Sequence, residues 1–143
     1  MAKDSVLIVE DEEMMRGILR QLLEAADFEV YTADSAETAL DIFISNEIII
    51  TLTDIKMSGK DGLALLDQIK SIDDEAVVII MTAFSSVDTA VAALRKGAYD
   101  YITKPFVNED LVQTVRNAAQ HRKLFRENRV LRRELSKHHT FSE

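Results

Sequence analysis

Residues 48–54 read IIITLTD, a run of apolar or β-branched residues that ends in a carboxylate. Such residues favour a β-strand, and a continuous run of them indicates burial on both faces of a parallel sheet. Asp54 would then lie at the carboxyl end of a buried strand, where a carboxylate is costly to desolvate unless a cation pairs with it. The run therefore predicts both a parallel sheet and a polar site at Asp54.

Polar side chains follow three other apolar runs in the same way. In chain order they are Glu10 with Asp11, Thr82 and Lys104. The carboxyl ends of parallel strands meet at one edge of the sheet, where ligands bind near the switch in strand order. We therefore expect these side chains to converge on Asp54.

Short apolar runs alternate with amphipathic stretches from residue 4 to residue 116. The predicted strands lie near 5–10, 28–32, 48–53, 76–81 and 99–102. The predicted helices lie near 12–26, 35–45, 62–71 and 86–96, with a last one that begins about residue 108. Ser35 and Asn108 have the residue types of helix starts, and Gly97 has that of a helix end. The alternation predicts an α/β fold, a doubly wound parallel sheet of about five strands.

Composition and charge limit the classes of function. The chain has 143 residues, 47% hydrophobic and 29% charged, which fits one globular domain. It has no apolar run near the roughly 20 residues that cross a bilayer and no apolar stretch of a signal peptide at its start. It also has no cysteine, which fits a cytoplasmic protein without disulfides.

The net charge of −8 is unevenly distributed. Residues 117–143 hold 7 Lys/Arg and 3 Asp/Glu, a balance of +4, whereas residues 1–116 hold 10 and 22, a balance of −12. An acidic body disfavours direct nucleic-acid binding and suits a site that holds a cation. We attribute the basic tail to the flanks of a helix seam.

The candidate site has the chemistry of phosphoryl transfer. Glu10, Asp11 and Asp54 would repel one another unless a divalent cation neutralised them, and oxygen ligands favour Mg²⁺ or Mn²⁺ over zinc. A metal-bound Asp54 beside Lys104 can attack phosphorus, and the hydroxyl of Thr82 can bond a phosphoryl oxygen. The chain has no P-loop, so the phosphoryl group must come from another molecule.

These motifs together resemble the response-regulator receiver domain of bacterial two-component signalling. They are VEDE at 9–12, DIKM at 54–57, DG at 61–62, MTA at 81–83 and KPF at 104–106. The resemblance covers residues 4 to about 120. It implies a flavodoxin-like receiver fold with strand order 2-1-3-4-5 and an extended C-terminal helix.

The resemblance also implies the roles of the acidic residues. Asp54 would accept the phosphoryl group from a sensor histidine kinase. Glu10 and Asp11, with Asp54 and the main-chain carbonyl of Lys56, would hold Mg²⁺. Such a domain is not an enzyme in the usual sense, because it catalyses only its own phosphorylation and slow dephosphorylation.

The residues of the conformational switch are implied in the same way. Thr82 would be the switch hydroxyl, Tyr101 the aromatic switch residue, and Lys104 the lysine that binds the phosphoryl group, with a cis peptide before Pro105. The run GAYDYITKPF at 97–106 is similar to the receivers of NtrC-type activators of sigma-54 RNA polymerase. In those activators a helical linker, an AAA+ ATPase and a DNA-binding domain follow the receiver.

Three positions depart from the usual pattern of the family. Glu10 replaces the more usual Asp, which lengthens one metal ligand by a methylene. Ser58 stands where Met-Pro-Gly is typical, and Phe84 occupies a position that is often polar. Neither Lys56 nor Phe84 is an obvious general base for the attacking water, so we predict a long-lived phosphoryl group.

The last helix has no Gly or Pro to stop it after residue 111. Its apolar seam, spaced 4, 3 and 4 with Asn at an a position, consists of Leu124, Asn128, Leu131 and Leu135. This pattern predicts a homodimer; the alternative is a single solvated helix, since two heptads are fewer than the three or four that usually define a coiled coil. We expect residues 1–120 to be the receiver and 121–143 a helical linker and dimerisation segment that leads to an absent output domain.

Other functions are less consistent with the residues. A phosphatase of the haloacid-dehalogenase type needs an acid at the position of Lys56, and a flavodoxin-like nucleotide binder needs a Ser/Thr/Gly-rich loop after the first strand. A pseudo-receiver that binds partners without phosphorylation stays open. Asp54, Thr82 and Lys104 disfavour it, whereas Glu10 leaves room for it.

Overall fold

The computed structural model describes residues 3–57, 61–83 and 87–141, with side chains for all of these except Val87 and residues 125–141. Its strands are β1 (Ser5–Val9), β2 (Glu29–Ala33), β3 (Ile50–Asp54), β4 (Val77–Ala83) and β5 (Asp100–Lys104). Its helices are α1 (Glu13–Ala25), α2 (Ala36–Ser45), α3 (Gly62–Ile72), α4 (Val87–Arg95) and α5 (Asn108–Phe141). Strands and helices alternate along the chain, as the sequence predicts.

All five strands pair in parallel in the order β2-β1-β3-β4-β5, which confirms the predicted topology. Alternate residues of each strand enter different layers of the core. Val6 and Ile8 pack in the cluster that includes α1 and α5, whereas Leu7 and Val9 pack in the cluster that includes α2 and α3. Burial on both faces explains why the central strands are continuously apolar.

Strands β4 and β5 extend further than predicted. Thr82 pairs with Thr103, and Ala83 pairs with Lys104, so the parallel ladder continues past the apolar runs. Thr82 and Lys104 therefore lie within strands, not after them as we expected. Backbone pairing does not require an apolar side chain, which is why the composition placed these strand ends too early.

Two of the predicted helix boundaries, at Ser35 and Gly97, are confirmed by local hydrogen bonds. The Ser35 hydroxyl accepts from the Thr38 N–H at 3.2 Å and caps α2. After α4, Gly97 has φ +108°, and the Ala98 N–H bonds back to the Ala93 carbonyl. Glycine tolerates this left-handed conformation better than other residues, so the chain can turn into β5 there.

Helix α5 runs without interruption from Asn108 to Phe141. Leu111, Val115 and Ala118 are fully buried against the sheet. Within the described part of the chain, no helix is both long enough and apolar enough to span a membrane. Ser58 and Phe84, two of the positions that depart from the family pattern, lie outside the described residues.

Candidate functional site

The carboxyl edge of the sheet brings three carboxylates together. Asp54 is the last residue of β3, and Glu10 and Asp11 follow directly after the neighbouring β1. One ligand oxygen from each of the three lies within 4.8 Å of the others. The convergence predicted from the sequence is thus present in the structure.

Asp54 is held at both carboxylate oxygens. Its Oδ2 accepts from the Lys104 ammonium at 2.7 Å, and its Oδ1 accepts from the Lys56 N–H at 3.2 Å. The side chain is 14% exposed, and it borders a cleft of about 140 Å³ that Thr82 and Ala83 also line. Asp54 is therefore oriented by the protein and still reachable from solvent.

Glu10 is the most deeply buried of the three acids, at 1% exposure. Its Oε1 accepts from Lys104 at 2.8 Å, and its Oε2 accepts from the Glu12 N–H at 3.3 Å. Burial raises the pKa of the Glu10 carboxyl, an effect that Lys104 offsets only in part. The Glu10 carboxylate thus contacts the same lysine as Asp54.

Lys104 neutralises part of this acidic cluster. Burial by itself lowers the pKa of the Lys104 ammonium, but the hydrogen bonds and charges of Asp54 and Glu10 outweigh it, so the pKa is raised. The ammonium is thus firmly protonated at neutral pH. The Lys104–Pro105 peptide is cis, as the resemblance implied.

Thr82 and Tyr101 differ in their surroundings. Thr82 is 2% exposed, and its hydroxyl donates to the Ala83 carbonyl at 3.3 Å. Tyr101 lies on β5 and is 40% exposed. Asp11 and Lys56 are also exposed, so the outer side of the cluster faces solvent.

Two further residues shape the site, and the sequence analysis gave neither of them a role. Arg16 of α1 donates to the Glu10 main-chain carbonyl at 2.9 Å and so holds the β1–α1 loop. Gly62 packs so closely on the chain after β3 that a methyl group there would collide with the Asp54 carbonyl. An arginine soon after an acidic run, and a glycine soon after the strand-end Asp54, were the available signals.

The family model of the response regulator receiver domain matches residues 6–116, most of the chain. The chain belongs to this family. This receiver has the family's five-stranded parallel sheet, and its acidic cluster lies where receivers bind Mg²⁺. The donor set fits that ion, because all three side-chain ligands are hard carboxylate oxygens.

Curated relatives of this receiver are transcription regulators. It is 40% identical over 132 residues to the C4-dicarboxylate transport transcriptional regulatory protein DctD of Rhizobium meliloti. The aligned residues are 92% of this chain and 29% of that protein. It is 41% identical over 114 residues to the DNA-binding transcriptional regulator NtrC of Klebsiella pneumoniae, which covers 80% and 24%. The chain thus spans less than a third of the length of either relative.

Solved structures support the same relationship. NtrX from Brucella abortus in complex with ADP superposes with a TM-score of 0.87 at 36% identity, over 92% of this chain and 30% of that one. A response regulator receiver domain protein from Clostridium thermocellum superposes with a TM-score of 0.82 at 35% identity, over 85% and 98%. The fold of this receiver therefore agrees with solved members of the family.

Proposed function

We propose that this receiver is a switch controlled by phosphorylation of Asp54 by a sensor histidine kinase in the cytoplasm. The observation that carries the proposal is the pairing of Asp54 with Lys104 at 2.7 Å, beside two further carboxylates and an open cleft. A nucleophilic carboxylate, an acidic cation site and a fixed ammonium are the parts that phosphoryl transfer requires.

The transfer step follows from these contacts. A carboxylate oxygen of Asp54 forms a bond to phosphorus, and the bond from phosphorus to the donor breaks with its electron pair leaving on the donor. Mg²⁺, held by Glu10, Asp11, Asp54 and the Lys56 carbonyl, would supply charge neutralisation at the phosphoryl oxygens. The Lys104 ammonium then moves from the Asp54 carboxylate to a phosphoryl oxygen.

The resulting acyl phosphate changes the hydrogen bonds around it. The Thr82 hydroxyl, which now donates to the Ala83 carbonyl, turns to a phosphoryl oxygen. Tyr101, exposed on the neighbouring strand, moves toward the space that Thr82 leaves. The surface formed by α4 and β5 then repacks.

The output of the switch is a change in dimerisation through α5. Leu124 is 61% exposed at the start of the predicted seam, and the helix continues to Phe141. The remaining seam residues, Asn128, Leu131 and Leu135, have side chains outside the described set. As in NtrC-type regulators, we propose that residues 121–143 link the receiver to AAA+ and DNA-binding domains.

Labelling with a small phosphodonor tests this function. The chain is incubated with Mg²⁺ and acetyl phosphate, and the intact mass is followed with time. We expect one phosphoryl group per chain in the wild type and none in Asp54→Ala. Asp34→Ala is a matched control, because Asp34 is an exposed acid that follows the edge strand β2.

The contradicting result is equally clear. Equal labelling of wild type and Asp54→Ala would remove Asp54 as the acceptor, and absence of labelling in both would favour a pseudo-receiver. The decay of the label in Mg²⁺ also tests the predicted long lifetime, since loss within seconds would contradict it.

A further inference from the structure

Arg122 of α5 is a buried cation at the edge of the sheet opposite to Asp54. Arg122 is only 8% exposed, although it belongs to the basic tail of the sequence. Its Nη1 donates to the Glu75 carbonyl at 2.7 Å, and its Nη2 donates to the Asp73 carboxylate at 3.1 Å. These contacts join positions 47 and 49 residues apart, so they tie the helix to a distant turn.

The turn that receives Arg122 is rigidly built. The other carboxylate oxygen of Asp73 accepts from the Glu75 N–H at 3.0 Å, and the Asp73 carbonyl accepts from the Ala76 N–H at 3.0 Å. Lys70 adds a bond to the Ala76 carbonyl at 3.0 Å. This turn leads directly into β4, the strand that carries Thr82 near its other end.

A second contact joins the same part of α5 to Tyr99, the residue just before β5. The rings of Tyr99 and His121 lie 5.0 Å apart, and the Tyr99 N–H donates to the Val78 carbonyl at 2.8 Å. A cavity of about 150 Å³ lies beside this contact and is lined in part by Tyr99, His121 and Arg122. The segments that lead into β4 and β5 are thus both in contact with α5 within one helical turn.

The burial pattern of α5 changes beside Arg122. Ala118, Ala119 and Arg122 are buried, whereas Lys123 and Leu124 are exposed. The Arg122 Nε is buried and makes no hydrogen bond within the described residues, so the two Nη atoms anchor the guanidinium. Arg122 is therefore the last buried residue among the α5 side chains that the structure describes, which end at Leu124.

We infer that Arg122 is a positioning residue, which anchors α5 to the turn before β4. Through this anchor, the linker segment (residues 121–143) responds to phosphorylation. This inference rests on the proposed function for its second half only. With the anchor in place, a change at α4 and β5 reorients α5 as one body. Without it, the helix moves independently of the receiver.

Hydrogen exchange of the unphosphorylated chain tests the anchor by itself. In Arg122→Met we expect the amides of residues 118–124 and of the turn 73–76 to exchange several-fold faster than in wild type. Lys123→Met is the matched control, because it removes a neighbouring cation whose ion pair with Asp4 is exposed. Asp73→Asn weakens the same anchor from the other side, should Arg122→Met fold poorly.

The coupling is tested by the dimer dissociation constant with and without beryllium fluoride and Mg²⁺. We expect the ratio of the two constants to shrink about fivefold or more in Arg122→Met, while the rate of labelling by acetyl phosphate stays at the wild-type value. A merely structural role would not separate these two readouts. Arg122→Lys should restore the ratio in part, since it keeps the charge but not the two-pronged contact.

Each outcome bears on the inference. Faster exchange with a reduced ratio supports it, whereas exchange and ratio equal to those of Lys123→Met overturn it. If the wild-type dimer does not respond to beryllium fluoride, the proposed dimer output fails separately. The anchor is then tested by hydrogen exchange alone, and equal exchange rates in Arg122→Met and Lys123→Met would refute it.

Discussion

The carboxyl and amino ends of the strands each hold a cation between two acids, half-buried Lys104 at one and buried Arg122 at the other, but they hold it differently. At the carboxyl edge, the hydrogen bonds of the Lys104 ammonium within the described residues go to side chains, the carboxylates of Glu10 and Asp54. At the amino edge, Arg122 contacts a carboxylate and also a main-chain carbonyl of a hydrogen-bonded turn. One cation can change partners by side-chain rotation alone, whereas the other is bound to the backbone.

Charge balance accentuates this difference. The carboxyl edge has three carboxylates around one ammonium, an excess of negative charge that leaves a place for Mg²⁺ and a phosphoryl group. At the amino edge, Arg122 pairs with the carboxylates of Asp73 at 3.1 Å and Glu75 at 3.6 Å. Its guanidinium also donates a hydrogen bond to the Glu75 main-chain carbonyl. The carboxyl edge has the larger excess of negative charge and can bind a cation and react, whereas Arg122, bonded to the main chain, serves as a fixed support.

The largest effect is expected for removal of the movable cation. Lys104→Met should lower the rate of labelling by acetyl phosphate about 10²–10³-fold, because the developing charge at phosphorus loses its ammonium. Intact-mass kinetics at saturating Mg²⁺ measure this rate. Lys96→Met, which removes an exposed ion pair with Asp67, should keep the wild-type rate. Similar rates for the two variants would show that Lys104 is dispensable.

Removal of the fixed cation should act on stability instead of reactivity. Arg122→Met removes the charged hydrogen bonds to Asp73 and to the Glu75 carbonyl, so we expect the free energy of unfolding to fall by about 1–3 kcal/mol. Urea denaturation measures it, and Mg²⁺ should not restore the loss. Lys123→Met should change it by about 1 kcal/mol or less, because its ion pair is exposed. A loss at Arg122 no larger than that at Lys123 would erase the contrast between the two edges.

A substitution at Gly62 tests whether the site depends on the position of the main chain at Asp54. Gly62→Ala puts a methyl group against the Asp54 carbonyl, so we expect a loss of about 1–3 kcal/mol in unfolding free energy and weaker Mg²⁺ binding. Gly17→Ala is the matched control, since nothing lies near its added methyl group on α1. That change should stabilise the chain by up to about 1 kcal/mol. Equal effects at the two glycines would exclude the steric explanation.

The smallest effect concerns the pH dependence of stability without metal. The Glu10 pKa is raised in the folded state, so its contribution to stability is complete below pH 4.5 and is lost as the pH rises through the folded value. In chelator, Glu10→Gln should therefore flatten the decline of unfolding free energy above pH 4.5. The same variant should bind Mg²⁺ less tightly. An unchanged slope would show that Lys104 fully compensates the burial of Glu10.

Most of the fold could be predicted because the three central strands, β1, β3 and β4, are buried on both faces. Continuous apolar runs gave strands within about two residues of their observed limits. The candidate site followed from topology, since parallel strands must end at a common edge. Thr82 and Lys104 belong to strands but were predicted to follow them. Main-chain pairing at a strand end can involve polar residues, so the apolar pattern did not reveal it.

The two edges were not equally predictable. The carboxyl edge has acids at the ends of apolar runs, and such a pattern can be recognised in a single sequence. The role of Arg122 was hidden, because its charge was counted with the basic tail and attributed to the flanks of a helix seam. That attribution is wrong for Arg122, which is buried by contacts 47 and 49 residues away. Contacts over such separations depend on tertiary packing, which residue spacing does not encode.

The unbroken course of α5 has a mechanical consequence. At about 1.5 Å per residue, the helix continues for roughly 28 Å beyond Arg122 to Phe141. Pivoting there by about 10° would carry the far end through roughly 5 Å, comparable to the pitch of an α-helix. A displacement of a hydroxyl group at one end of the sheet could thus be magnified, by leverage alone, into a shift that an attached domain would sense.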